Sequence, residues 1–119
     1  MLVADIHHVS LNVTDTERAL GFYRDLLGLR PLARPDLDFD GAWLDAGHGR
    51  QIHLIETTTV PADVGQHFAF LVDDIDQVVA AVRAAGYDVP DAKVVRGGVA
   101  RQTFVLDPDG NRVEFNQPS

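Results

Sequence analysis

Two stretches of this chain occur twice, and that duplication limits what it can fold into. Gly49-Arg50-Gln51-Ile52-His53-Leu54 matches Gly110-Asn111-Arg112-Val113-Glu114-Phe115 at an offset of 61 (110 − 49, 114 − 53). Upstream, His8-Val9-Ser10-Leu11-Asn12-Val13 matches His67-Phe68-Ala69-Phe70-Leu71-Val72 at an offset of 59 (67 − 8). Repeat arrays use shorter periods and more copies, so two halves of about sixty residues read as a duplicated module. Equivalent positions then carry equivalent residues: His8 pairs with His67, and His53 with Glu114.

The sharpest local pattern is FVLDPDGNRVEF, from Phe104 to Phe115. Pro108 suits the first central position of a turn, and Gly110 supplies the positive φ that closes a hairpin. In the second run Val113 and Phe115 point one way, while Arg112, Glu114 and Asn116 point the other. Glu114 therefore sits mid-strand on a polar face.

The pattern predicts strand, helix and three strands in each half. The first strand lies within 1–13, with Val9, Leu11 and Val13 opposite His8, Ser10 and Asn12. His7 falls on the apolar side by parity. Thr14-Asp-Thr-Glu17 reads as a capping box for a helix over 14–27, with Leu20, Tyr23, Leu26 and Leu27 on its apolar stripe and Gly28 at its end. Gly21 inside that helix suggests close packing. Strands follow at 29–31, 41–46 and 51–56, where Gln51, His53 and Ile55 share a face. Module one is 1–56, the linker with Pro61 is 57–65, and module two is 66–119. There the pattern predicts a strand at 66–72, a helix capped by Asp73 with Ile75, Val78, Val79 and Val82 as its stripe, a strand at 87–89, a loop over 90–98, and strands at 99–106 and 111–116. The helices cover the apolar sheet faces, and two halves joined by their pseudo-symmetry would line a shared groove with the polar ones.

A length of 119 residues is one domain's worth of chain. There is no cysteine, so disulfides and thiolate chemistry are excluded. A net charge of −8 argues against nucleic acid as a partner. No signal-like or membrane-spanning apolar run is present, which points to a cytoplasmic protein with no membrane partner.

His8, His53, His67 and Glu114 all take groove-facing parity. Imidazoles with a carboxylate suit a divalent metal such as Zn, Fe, Ni, Co or Mn, and two histidines with one carboxylate leave positions open for substrate. Any one of them alone reads as an ordinary strand residue; four at duplicated positions read as a site. Arg112 and Asn116 flank Glu114 and are candidates for substrate contact, as is Phe104. His48 lies in a glycine-flanked turn, away from this set.

These motifs, HHVSLNVTDTERALGFYRDLLGL, GQHFAFLVDDIDQVVAAVRAAG and FVLDPDGNRVEF, resemble the vicinal oxygen chelate superfamily, which includes glyoxalase I, extradiol dioxygenases, fosfomycin-resistance proteins and bleomycin-resistance proteins. The resemblance spans essentially the whole chain. It implies an α+β fold of two tandem βαβββ modules, forming an open, eight-stranded half-barrel sheet around a metal-binding groove with helices outside. It implies His8, His67 and Glu114 as metal ligands, with Glu114 also catalytic, and places His53 at a fourth position where glyoxalase I has glutamate. It further implies a homodimer acting on a small molecule. The expected function is divalent-metal-dependent lyase, isomerase or dioxygenase chemistry on vicinal oxygens. The alternative is a bleomycin-resistance-type protein that sequesters a cationic drug or small ligand without catalysis.

Overall fold

The computed structural model describes residues 1–119. It contains β1 (His8–Val13), α1 (Thr16–Leu20), β2 (Arg30–Leu32), β3 (Gly41–Gly47) and β4 (Arg50–Glu56), then β5 (Phe68–Leu71), α2 (Ile75–Ala84), β6 (Lys93–Val94), β7 (Ala100–Leu106) and β8 (Arg112–Pro118). The strands form two four-stranded sheets of identical topology, β1-β4-β3-β2 and β5-β8-β7-β6. In each sheet the first strand runs parallel to the last, and the remaining pairs are antiparallel. The chain divides into two compact units, Met1–Pro61 and Ala62–Ser119. This is the βαβββ arrangement, present twice. No helix is long and apolar enough to cross a membrane.

Each unit has its own core. Val13, Ala19, Leu20, Phe22, Tyr23, Leu44, Ile52 and Leu54 fill the first. Ile75, Val79, Val82, Val89, Val105, Val113 and Phe115 fill the second. Ile52 and Leu54 on β4 are the counterparts of Val113 and Phe115 on β8, so the duplication is a duplication of packing. The opposite parity on those two strands is what carries His53 and Glu114.

The helix starts are duplicated in finer detail. Asp15, in an extended conformation, accepts from Arg18 N, and Asp74 accepts from Gln77 N in the same way. The caps are thus Asp15 and Asp74, one residue later than the expected Thr14 and Asp73. At the first helix the Asp15 carboxylate also meets the positive end of the helix dipole, while Thr14 Oγ1 receives the Arg18 guanidinium; at the second both candidates are Asp, and the extended backbone of Asp74 decides. The next amides are satisfied from the end of the sheet. Thr16 N donates to Glu56 Oε1 at 2.8 Å, and Ile75 N donates to Gln117 Oε1 at 2.8 Å. These partners carry the same offsets as the sequence repeat, 59 (75 − 16) and 61 (117 − 56). Asp74→Ala is expected to cost about 1 kcal/mol in urea denaturation, against less than about 0.5 kcal/mol for Asp73→Ala. Equal costs would contradict this assignment of the cap.

Other expectations need correction. The first strand is confined to His8–Val13, and residues 1–7 carry no regular structure. The first helix is α-helical only to Leu20; Gly21–Leu26 is a π-helical stretch, with Leu27 N donating to Phe22 O. The wider turn buries Phe22 beside Tyr23, while Leu26 and Leu27 are only half-buried. Gly21 is not closely packed, since an added Cβ would meet nothing within 4 Å. The short strand expected at 87–89 is absent. Its backbone bonds back to α2 instead: Tyr87 N donates to Val82 O, and Arg83 Nε donates to Val89 O. The edge strand β6 lies inside the expected loop.

Candidate functional site

In the second unit, β8 presents Arg112, Glu114 and Asn116 along one face, as the alternation requires. The turn before it is fixed by Asp107, whose Oδ1 accepts from Asp109 N and Asn111 N. Gly110 adopts φ +88° there. Glu114 is 7% exposed, unusual for a carboxylate, and both its oxygens are engaged. Oε2 accepts from Asn116 Nδ2 at 2.9 Å. Oε1 lies 3.0 Å from His67 Nε2.

His67 stands one residue before β5, which pairs in parallel with β8. Its other ring nitrogen, Nδ1, donates to Gly65 O at 2.8 Å. That bond leaves Nε2 as the nitrogen aimed at the carboxylate. Metal-binding histidines are oriented in this way, by a backbone carbonyl on the far nitrogen. An imidazole nitrogen and a carboxylate oxygen thus face each other at 3.0 Å, and both are donor types that divalent cations take. Phe104, the cross-strand partner of Glu114, meets the His67 ring edge-on at 5.0 Å. Arg112 lies over the other side of this assembly, its guanidinium 5.4 Å from the Phe104 ring centre.

In the first unit, β4 places His53 beside Trp43 of β3 in the ladder. The two rings stack at 4.4 Å, and His8 of β1 stacks on the His53 ring at 4.0 Å. His53 Nε2 contacts Gln51 Oε1 at 2.7 Å. The proton on Nε2 then points at the amide oxygen, leaving Nδ1 with the free lone pair. Burial, reinforced by the positive charge of neighbouring His8, His7 and Arg34, pushes the His53 pKa below that of an ordinary histidine. A neutral imidazole is the form that binds metal.

The sign of the pH effect follows. The unfolded chain takes a proton on His53 as pH falls through about 6.5, while the folded chain resists it, so stability is full above that pH and declines below it. His53→Gln is expected to flatten the dependence of the urea midpoint between pH 7.5 and 5.5. An unchanged slope would show that other groups carry it.

The structure thus presents the expected donors as two pairs, His8 with His53 and His67 with Glu114. No group of three or more His, Asp or Glu side chains is arranged to hold a metal ion. The donor types suit a divalent cation: imidazole nitrogens, one of them biased toward the neutral form by burial, and a buried carboxylate. Several neighbours were missed from sequence. His7, assigned to the apolar side, is exposed, and its Nδ1 lies 2.9 Å from His8 Nδ1. Trp43 forms the base of the histidine stack. Gln51 shared parity with His53, which was the available signal for its contact. Asp63, from the linker, had none. His48 adopts φ +54° in its turn, away from both pairs.

The sequence model of the Glyoxalase/Bleomycin resistance protein/Dioxygenase superfamily matches residues 5–115. A lactoylglutathione lyase from Haemophilus influenzae is 36% identical over 121 residues, covering 92% of this chain and 90% of that protein. A glyoxalase family protein from Bacillus anthracis has a structure that superposes with a TM-score of 0.86 at 26% identity, covering 98% of this chain and 97% of that one. The structure of TnmS3, an antibiotic binding protein from Streptomyces sp. CB03234, superposes with a TM-score of 0.83 at 28% identity, covering 100% of this chain and 99% of that one.

Proposed function

The chain belongs to the Glyoxalase/Bleomycin resistance protein/Dioxygenase superfamily, and from that premise we propose that it is a divalent-metal-dependent enzyme of the glyoxalase type. Its substrate would be a small molecule that offers two neighbouring oxygens to the ion. The observation that carries this reading is the His67–Glu114 contact, in which Gly65 and Asn116 hold both donors in place. His8, His67 and Glu114 would hold the ion, with His53 at the fourth position. Zn, Fe, Ni, Co and Mn all suit such a set.

A bound divalent ion supplies Lewis-acid stabilisation of negative charge developing on a substrate oxygen. The chain's own residues supply the rest. Glu114, which would be one of the residues holding the ion, would also be the carboxylate placed to accept or return a substrate proton. Asn116 holds the second oxygen, keeping the carboxylate aimed. Phe104 and Arg112 flank the pair and form the surface on which a substrate would lie. His53 in place of the glyoxalase I glutamate removes one of the two carboxylates that serve proton transfer there, which leaves Glu114 as the single carboxylate base. This favours isomerase or lyase chemistry needing one base.

The test is turnover together with metal dependence. The metal-loaded protein is assayed for formation of lactoylglutathione, the product named by its relatives, and for isomerisation of other small vicinal-oxygen compounds. Activity that disappears with chelator and returns with one of the five metals supports the reading. Inactivity with every metal, alongside failure to bind any, overturns it.

A second reading has its own support. The likeness to TnmS3 extends over essentially the whole of both chains, and the Trp43–His53–His8 stack lines a sheet face with aromatic ring edges, against which an aromatic ligand can pack. On that reading the protein sequesters a drug-like molecule, and the net charge of −8 favours a cationic one. Ligand binding indifferent to chelator would mark it.

A further inference from the structure

Arg112 and Glu114 are joined by a hydrogen-bonded loop that leaves strand β8 and returns to it. Arg112 Nε donates to Asp63 Oδ1 at 2.9 Å and Nη2 donates to Oδ2 at 3.0 Å, a side-on fork on a carboxylate. Asp63 Oδ1 also receives Gly65 N at 3.5 Å. Gly65 O holds His67 Nδ1, and His67 Nε2 meets Glu114. Phe104 sits inside this ring of contacts, touching both the Arg112 guanidinium and the His67 imidazole.

Arg101 of β7 pairs with Asp76 of α2, and Arg30 of β2 with Asp45 of β3, each pair joining two regular elements. Asp63 instead belongs to connecting chain with no regular structure, where Ala62, Val64 and Gly65 are exposed. Its carboxylate is carried by no strand or helix, so it can leave Arg112 without breaking a regular element. It occupies the place where a guanidinium on the Glu114 face would receive a planar anion from outside.

We infer that Arg112 is a subsite for a carboxylate of the ligand, and that Asp63 is its internal placeholder. This rests on the proposed small-molecule site at Glu114 and names the ligand's chemical class: a small carboxylic acid. When its carboxylate takes the Arg112 fork, Asp63 is released. Gly65 loses the Asp63 contact, and the carbonyl that orients His67 becomes free to shift. Occupancy of the anion subsite is thereby transmitted to the imidazole beside Glu114.

The experiment uses metal-free full-length protein, with benzoate as the probe and benzamide as the uncharged control, followed by NMR. It does not depend on the metal reading, so the two can fail separately. Asp63→Asn removes the internal competitor and is expected to tighten benzoate binding about tenfold or more, the usual scale of an intramolecular competitor's advantage. Asp63→Ser, run beside it, carries the same expectation. Adding Arg112→Gln to either variant is expected to abolish the gain, and benzoate binding to the wild type is expected to shift the His67 ring signals. Unchanged affinity in both Asp63 variants, equal binding of benzamide, or full binding after loss of Arg112 would each overturn the inference.

Discussion

Glu114→Ala is expected to weaken binding of a divalent metal by more than about 100-fold, and to reduce any metal-dependent turnover to background. Groups that merely orient a ligand typically contribute about 10–100-fold to affinity, and removal of a ligand should exceed that range. Asn116→Ala, which frees only Glu114 Oε2, should fall within it. Glu114→Gln separates charge from shape. It can still contact Asn116 and His67 but has no anionic oxygen, so it should bind metal nearly as poorly as Glu114→Ala while folding normally. Isothermal titration with zinc and manganese reads all three variants. Wild-type affinity in Glu114→Gln would remove Glu114 from the ligand set. Loss of affinity in Asn116→Ala equal to that in Glu114→Ala would mean that orientation, not charge, dominates.

Phe115→Ala is expected to cost about 3–5 kcal/mol, the range for deleting a fully buried aromatic side chain. Phe115 is 1% exposed and stacks on Phe70 of β5 with ring centres 6.3 Å apart. It lies directly after Glu114 on the opposite face of β8, so the loss also disturbs the strand that aims the carboxylate. Leu54→Ala in the first unit is expected to cost about 2–5 kcal/mol. Against the usual total of about 5–15 kcal/mol, either change consumes a large fraction of the stability. Urea denaturation monitored at Trp43 and by circular dichroism measures both. A cost below about 1 kcal/mol for Phe115→Ala would mean that β8 is not packed as described.

Much of this architecture was legible because the chain says it twice. The offset of His53 and Glu114 placed both on the polar parity of equivalent strands, and the structure puts Ile52, Leu54, Val113 and Phe115 on the buried parity as alternation requires. The repeat even extends to contacts between distant residues, Thr16 with Glu56 and Ile75 with Gln117. What was lost is where two adjacent residues offer the same chemistry. Thr14 and Asp15, or Asp73 and Asp74, compete for one cap, and backbone geometry settles the choice. The π-helical stretch was hidden because Leu20, Tyr23, Leu26 and Leu27 satisfy ordinary helical spacing. The strand expected at 87–89 failed because its backbone turns back to the preceding helix, with Tyr87 N on Val82 O and Arg83 Nε on Val89 O.

The site was legible in its members and not in its contacts. Parity puts His8, His53, His67 and Glu114 on polar faces, but it says nothing of ring stacking, of the Gly65 carbonyl behind His67, or of Asp63 on Arg112. Those depend on how connecting segments lie, and connecting segments carry no period.

The most direct test of the account is the metal content of the wild-type protein, purified without chelator and then dialysed against zinc, nickel, cobalt, iron or manganese in turn. The account predicts stoichiometric retention of at least one of these after removal of excess metal. It also predicts that the ring signals of His8 and His67 shift together on loading. A protein that retains none of the five, with its histidine signals unmoved, would contradict a metal centre and leave the histidines on the sheet faces as part of a ligand-binding surface.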